Sequence, residues 1–131
     1  MTHDPRTVEP SATLTEVARI MRDDDIGAVV VVENGAAAGL VTDRDIVVRA
    51  VADGRDPNST SVAEVASRDL RTLTPDQNLE DAIALMRDWD VRRVVVVQDG
   101  RPVGIVSLGD LAIERDPDSV LADIASEPAN D

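Results

Sequence analysis

The chain has no cysteine, phenylalanine, tyrosine or lysine, and its single tryptophan is Trp89. Without cysteine there is no disulfide framework, no thiolate metal site and no thiol nucleophile. With one aromatic residue, the stacking platform that holds single-stranded nucleic acid is missing as well. A base or sugar ring would have to be held by aliphatic side chains and backbone groups. Thirteen basic residues, all arginine, stand against 26 acidic ones, for a net charge of −13. Nucleic acid and anionic membrane are therefore disfavoured partners, because a polyanion needs a basic footprint. A small phosphate ligand needs only a few local donors and stays open. No run approaches the roughly 20 apolar residues of a membrane span, and Met1–Pro5 lacks the apolar core of a signal peptide. A soluble cytoplasmic protein is expected. Neither a Gly-x-Ser-x-Gly turn nor a phosphate-loop motif occurs, and no carboxylates stand at metal-ligand spacing with the one histidine, His3. An enzyme is not expected, nor a metal site.

What the chain does have is a repeat. Residues 8–46 lie over residues 73–111 at a constant offset of 65, without a gap, and 14 of the 39 positions are identical. Pro10 falls on Pro75, Leu14 on Leu79, Met21–Asp23 on Met86–Asp88, Val29–Val32 on Val94–Val97, Gly39 on Gly104 and Asp45 on Asp110. Two copies of a unit this small must share a core to bury enough apolar surface. A cleft between them is the first place to look for function.

Each copy reads as strand, helix, strand, turn, strand, helix. Thr13 with Glu16 and Asn78 with Asp81 are capping-box pairs that open helices. Behind them Leu14, Val17, Ala18 and Met21 recur at helical spacing, as do Leu79, Ala82, Ile83 and Met86. Met21 and Met86 are core residues on this pattern. Val29–Val32 and Val94–Val97 predict strands buried on both faces. Asn34-Gly35 and Asp99-Gly100 are hairpin turns leading into Ala37–Val41 and Val103–Val106. A second helix follows from Thr42 and from Ser107. The reading divides the chain into repeat 1 at 1–53, a turn-rich linker at 54–60, repeat 2 at 61–115, and a final helix with a tail at 116–131. Ser61 with Glu64 opens a short turn through Ala66.

The two strand-to-helix turns, Thr42–Asp45 and Ser107–Asp110, carry the chemistry. A hydroxyl and backbone N–H groups at a helix start favour an anion, and a carboxylate three residues on can accept from a ribose diol. The same Thr/Ser-x-x-Asp spacing is also a plain cap worth ~1 kcal/mol, and the spacing leaves both readings open. Arg92 and Arg93 replace Gly27 and Ala28 of the first copy and cannot both point inward, so they are either a local basic site or a solvated pair. Arg44, between Asp43 and Asp45, is expected to pair locally with those carboxylates. Trp89, at a helix end, is either a partner-facing residue or locally packed.

The repeat resembles the CBS domain, named for cystathionine β-synthase, and the pair resembles the tandem CBS modules of small stand-alone actinobacterial proteins. The features that carry this are Pro10, Leu14, Met21, Val29–Val32, Gly35, Gly39–Thr42 and Asp45, with their second-copy equivalents. The resemblance implies an α/β (α+β) fold of two pseudo-twofold-related repeats, each a small mixed sheet packed against two helices, that commonly dimerises. It implies an adenosine-containing regulatory ligand (AMP, ADP, ATP, NAD or S-adenosylmethionine) in the inter-repeat cleft and an unidentified protein partner. Carried over by position, the ligand-binding residues are Thr42 and Asp45, the wall Ser61, Val65 and Ala66, and Arg92 and Arg93 against a phosphate. Ser107 and Asp110 form a second, weaker site, because Ala66 falls on Met1 and the first repeat has no counterpart of Ser61–Val65. The alternative is a ligand-free dimeric scaffold or stress protein acting through protein contacts.

Overall fold

The structure is a computed structural model and describes residues 1–110; the helix and tail expected at 116–131 lie outside the described residues. The architecture is mixed α+β, with two small sheets and their helices. The described chain forms two compact units: Arg6–Leu70, and Met1–Pro5 together with the residues from Arg71 onward.

In the first unit a three-stranded sheet runs β2 (Thr7–Val8), β3 (Ala28–Glu33), β4 (Ala36–Thr42), with β2 parallel and β4 antiparallel to the central β3. A strand flanked on both sides and covered on both faces must be apolar throughout, and Val29, Val30 and Val31 are all buried. The β3–β4 turn places Asn34 and Gly35 at φ 54° and 80°. Two successive positive φ values suit the twist of a tight hairpin, which is why Asn-Gly stands there. Helix α1 (Leu14–Asp24) begins with the reciprocal cap: Glu16 N–H donates to Thr13 Oγ1 at 3.2 Å, and Thr13 N–H to Glu16 Oε2 at 3.1 Å. Its first free N–H groups go to the linker, Leu14 N to Thr60 O at 3.0 Å and Thr15 N to Pro57 O at 3.2 Å. It stops at Asp25, in the left-handed region at φ 55°. Leu14, Val17 and Met21 form its buried stripe.

After β4 comes a single α-helical turn, α2 (Asp43–Ile46), continued by a π-helical turn over Val47–Val51. Ala50 points into the core, while Val47, Val48 and Val51 stay 57%, 47% and 60% exposed. A 3₁₀ turn over Val62–Glu64 follows the linker, and Ser67 forms a bridge with Leu40 on the edge of β4.

The second unit repeats this plan. Its sheet is ordered β1 (Thr2–His3), β7 (Arg101–Ser107), β6 (Arg93–Gln98), β5 (Thr72–Leu73). Helix α3 (Leu79–Trp89) is capped by Asn78 and Asp81 and ends at Asp90, φ 51°. The hairpin register shifts between Val96 and Val97, the repeat counterpart of the shift between Val31 and Val32. Even the edge pairing recurs: Thr2 sits opposite Ile105 as Ser67 sits opposite Leu40. Residues 1–5 thus lie on the second copy's hairpin, just as Ala66 and Ser67 lie on the first.

Candidate functional site

Both strand-to-helix turns are closed by reciprocal hydrogen bonds. Thr42 N–H donates to Asp45 Oδ2 at 2.9 Å and Asp45 N–H to Thr42 Oγ1 at 3.1 Å. In the second unit Ser107 N–H donates to Asp110 Oδ2 at 2.9 Å and Asp110 N–H to Ser107 Oγ at 3.2 Å. The next residue anchors each turn to the start of the neighbouring strand, Asp43 N to Gly27 O at 3.0 Å and Leu108 N to Arg92 O at 2.9 Å. The cap therefore exists in both copies. The cap does not use every atom: each hydroxyl accepts in it and keeps its proton to donate, and each carboxylate's Oδ1 lies outside it.

The two Oδ1 atoms differ in surroundings. That of Asp45 lies 3.9 Å from Arg49 Nε, and that of Asp110 lies 3.3 Å from the Met1 amino nitrogen. Arg49 also donates from Nη1 to the Val65 carbonyl at 3.2 Å. It thereby ties the turn to the wall segment, a role the motif comparison did not assign. The signal was present as an i, i+4 Asp–Arg pair on one helix face.

The wall is held from several sides. Val62 N donates to Ala12 O at 2.7 Å, Ala63 N to Pro10 O at 3.2 Å, and Ser67 N to Leu40 O at 2.9 Å. Ser61 N–H donates to Glu64 Oε2 at 2.8 Å and its hydroxyl to the same oxygen at 3.3 Å. These bonds, the Ser61 N–H first, hold the Glu64 carboxyl below its ordinary range. Val62, Val65 and Ala66 are buried. Gly39 permits this approach, because a Cβ there would lie 2.9 Å from the Ser67 carbonyl oxygen.

Of the expected site residues, Thr42, Asp45, Ser61, Val65 and Ala66 fall in the first unit, and Arg92, Arg93, Ser107 and Asp110 in the second. Arg92 is exposed; Arg93 opens β6 opposite Ser107 and is half-buried. The Arg44 side chain is exposed, and its N–H donates to Asp43 Oδ1 at 2.8 Å. The Arg71 guanidinium lies 3.5 Å from the ring centre of Trp89, which leaves Trp89 52% exposed. His3 lines a cavity of about 620 Å³ in the second unit, along with Leu79, Val106 and Asp110. Its counterpart in the first unit, which touches Gly39, Ala63 and Ala66, measures about 60 Å³. Among the described residues no three His, Cys, Asp or Glu come together as a metal cluster would require, and no helix is long and apolar enough to cross a membrane.

Residues 1–51 and 62–115 each match the family model of the CBS domain. The CBS domain-containing protein YhcV of Bacillus subtilis is 44% identical over 115 residues, 88% of this chain and 81% of that protein. A protein with CBS domains from Burkholderia ambifaria superposes with a TM-score of 0.80 at 29% identity, over 90% of this chain and 87% of that one. A CBS domain protein from Pyrobaculum aerophilum, solved in complex with AMP, superposes with a TM-score of 0.78 at 28% identity, over 96% and 95% of the two chains.

Proposed function

Because the chain belongs to the CBS-domain family and carries two copies of that domain, we propose that it is a regulatory module that binds an adenosine-containing ligand at the Thr42–Asp45 turn and thereby alters its contacts with a protein partner. The observation that carries this reading is the arrangement around Arg49. One guanidinium touches both the Asp45 carboxylate, at 3.9 Å, and the Val65 carbonyl, at 3.2 Å. A diol acceptor, a free hydroxyl proton on Thr42 and an apolar wall are thereby held in one unit. Phosphate on Thr42, ribose on Asp45 and the base against Val65 and Ala66 is a coherent grip for AMP or ATP. The AMP complex of the Pyrobaculum relative supports that ligand class. Such a ligand acts on a partner only by binding one arrangement of the module more tightly than another.

Titration calorimetry with AMP on the wild type, Asp45→Ala and Asp110→Ala tests the assignment. Loss of binding in Asp45→Ala alone is expected; loss in Asp110→Ala with Asp45→Ala unaffected would reverse it. Arg92→Ala and Arg93→Ala test separately whether those side chains serve the phosphate. A ligand-free scaffold is the second reading, favoured by the closed caps, which complete both turns without a ligand. Under it, AMP gives no heat with any variant.

Homodimerisation belongs to the same proposal. Val47, Val48 and Val51 form an exposed apolar stripe on the α2 side of the first unit, and such a stripe suits a protein contact. Val48→Asp with Val51→Asp is expected to give a monomer by light scattering, where the wild type gives a dimer.

A further inference from the structure

The two units differ in what covers the apolar face behind each cap. In the first, Leu14, Val17, Val31 and Val41 form one buried cluster with Val62 and Val65, and both of those valines are fully buried. In the second, Leu79 and Val106, the counterparts of Leu14 and Val41, are half-buried. The 620 Å³ cavity opens beside them, lined also by Ala82 and Val96, the counterparts of Val17 and Val31. By the repeat relation it falls where Val62 and Val65 sit in the first unit. Met1 and Thr2 already hold the places of Ala66 and Ser67 against β7.

The sequence carries a second version of the covering segment. Residues 121–126 read Leu121, Ala122, Asp123, Ile124, Ala125, Ser126, against Val62, Ala63, Glu64, Val65, Ala66, Ser67. Three positions are identical, and the other three keep their chemistry: Val for Leu, Glu for Asp, Val for Ile. The spacing of the two large apolar residues is the same. Reach is not limiting. Asp110 itself lines the cavity, and the ten residues 111–120 can span up to ~33–36 Å.

We propose that Leu121–Ser126 of this chain is the occupant of the second unit's cavity, seating Leu121 and Ile124 where the first unit seats Val62 and Val65. A phosphate would find no arginine in the described lining, which is polar at His3, Thr74, Gln77, Asn78 and Gln98 and acidic at Asp110.

The natural chain has no cysteine, so one introduced thiol reports on one place. In the full chain, Leu79→Cys is labelled with a maleimide, beside Leu14→Cys as the benchmark of a fully buried position. The proposal expects Leu79→Cys to react about tenfold or more slower than the same variant carrying Leu121→Asp and Ile124→Asp, because labelling then requires local opening. Equal rates would overturn it. So would slow labelling that survives the tail substitutions, which would assign the cover to something else. Oxidation of Leu79→Cys with Ile124→Cys gives a second readout. A disulfide within one chain supports the proposal, and a disulfide between two chains overturns it in favour of a second copy.

Discussion

Gly39 meets Ser67 so closely that a Cβ on the glycine would come 2.9 Å from the Ser67 carbonyl oxygen. The atom it would strike is backbone, held in a bridge whose two hydrogen bonds with Leu40 measure 2.9 and 3.0 Å. Gly39→Ala must push the wall segment off β4, and is expected to cost about 1–3 kcal/mol, as overpacking of a close contact does. At Gly104 the nearest atom is Met1 Sδ, the flexible end of an exposed side chain, with the Thr2 carbonyl at 3.2 Å. Gly104→Ala should cost less. Urea denaturation of both variants compares them directly.

Thr42 caps a helix whatever it binds. Thr42→Ala is expected to lower stability by ~1 kcal/mol even in the absence of nucleotide, while Thr42→Ser keeps both the cap and the hydroxyl proton. A Thr42→Ala variant as stable as the wild type would remove the cap from the account.

Val65 is fully buried in the first unit's cluster. Val65→Ala should cost about 1.5–3 kcal/mol from lost burial together with the cavity it leaves. The loss should appear as faster amide exchange in α1 and β4.

Acid should loosen the wall through Glu64. Its carboxyl is depressed in the folded state, chiefly by the Ser61 N–H. The contribution is therefore fully present above the ordinary carboxylate range and is lost as pH falls through the depressed folded value. Glu64→Gln should flatten the acid side of the stability profile relative to the wild type. An unchanged profile would mean that the Ser61 bonds are not retained in solution.

Much of this fold was legible because its signals are local. The reciprocal caps at Thr13/Glu16 and Asn78/Asp81, the valine runs and the Asn-Gly and Asp-Gly turns each state their structure within a few residues. The pairing of Thr2–His3 with β7 was not legible, since two residues carry no periodicity and the partner lies about a hundred positions away. The π-helical turn at Val47–Val51 has no distinguishing sequence. Within the candidate site, spacing singles out Thr42 and Asp45 as candidates, whereas Arg49 emerges once the helix brings it back over Val65. The cap and the ligand reading share the same atoms, and sequence spacing alone could not divide them.

The most direct test of the central claim is a thermal-shift series with AMP, ADP, ATP, NADH and S-adenosylmethionine on the wild type and Asp45→Ala. Ligand at 100 times its dissociation constant adds ~2.7 kcal/mol to the native state, a shift of several degrees for a chain of this size. The account predicts that at least one of these ligands raises the wild-type midpoint and that the rise disappears in Asp45→Ala. No shift at millimolar concentrations, or a shift that survives Asp45→Ala, would contradict it.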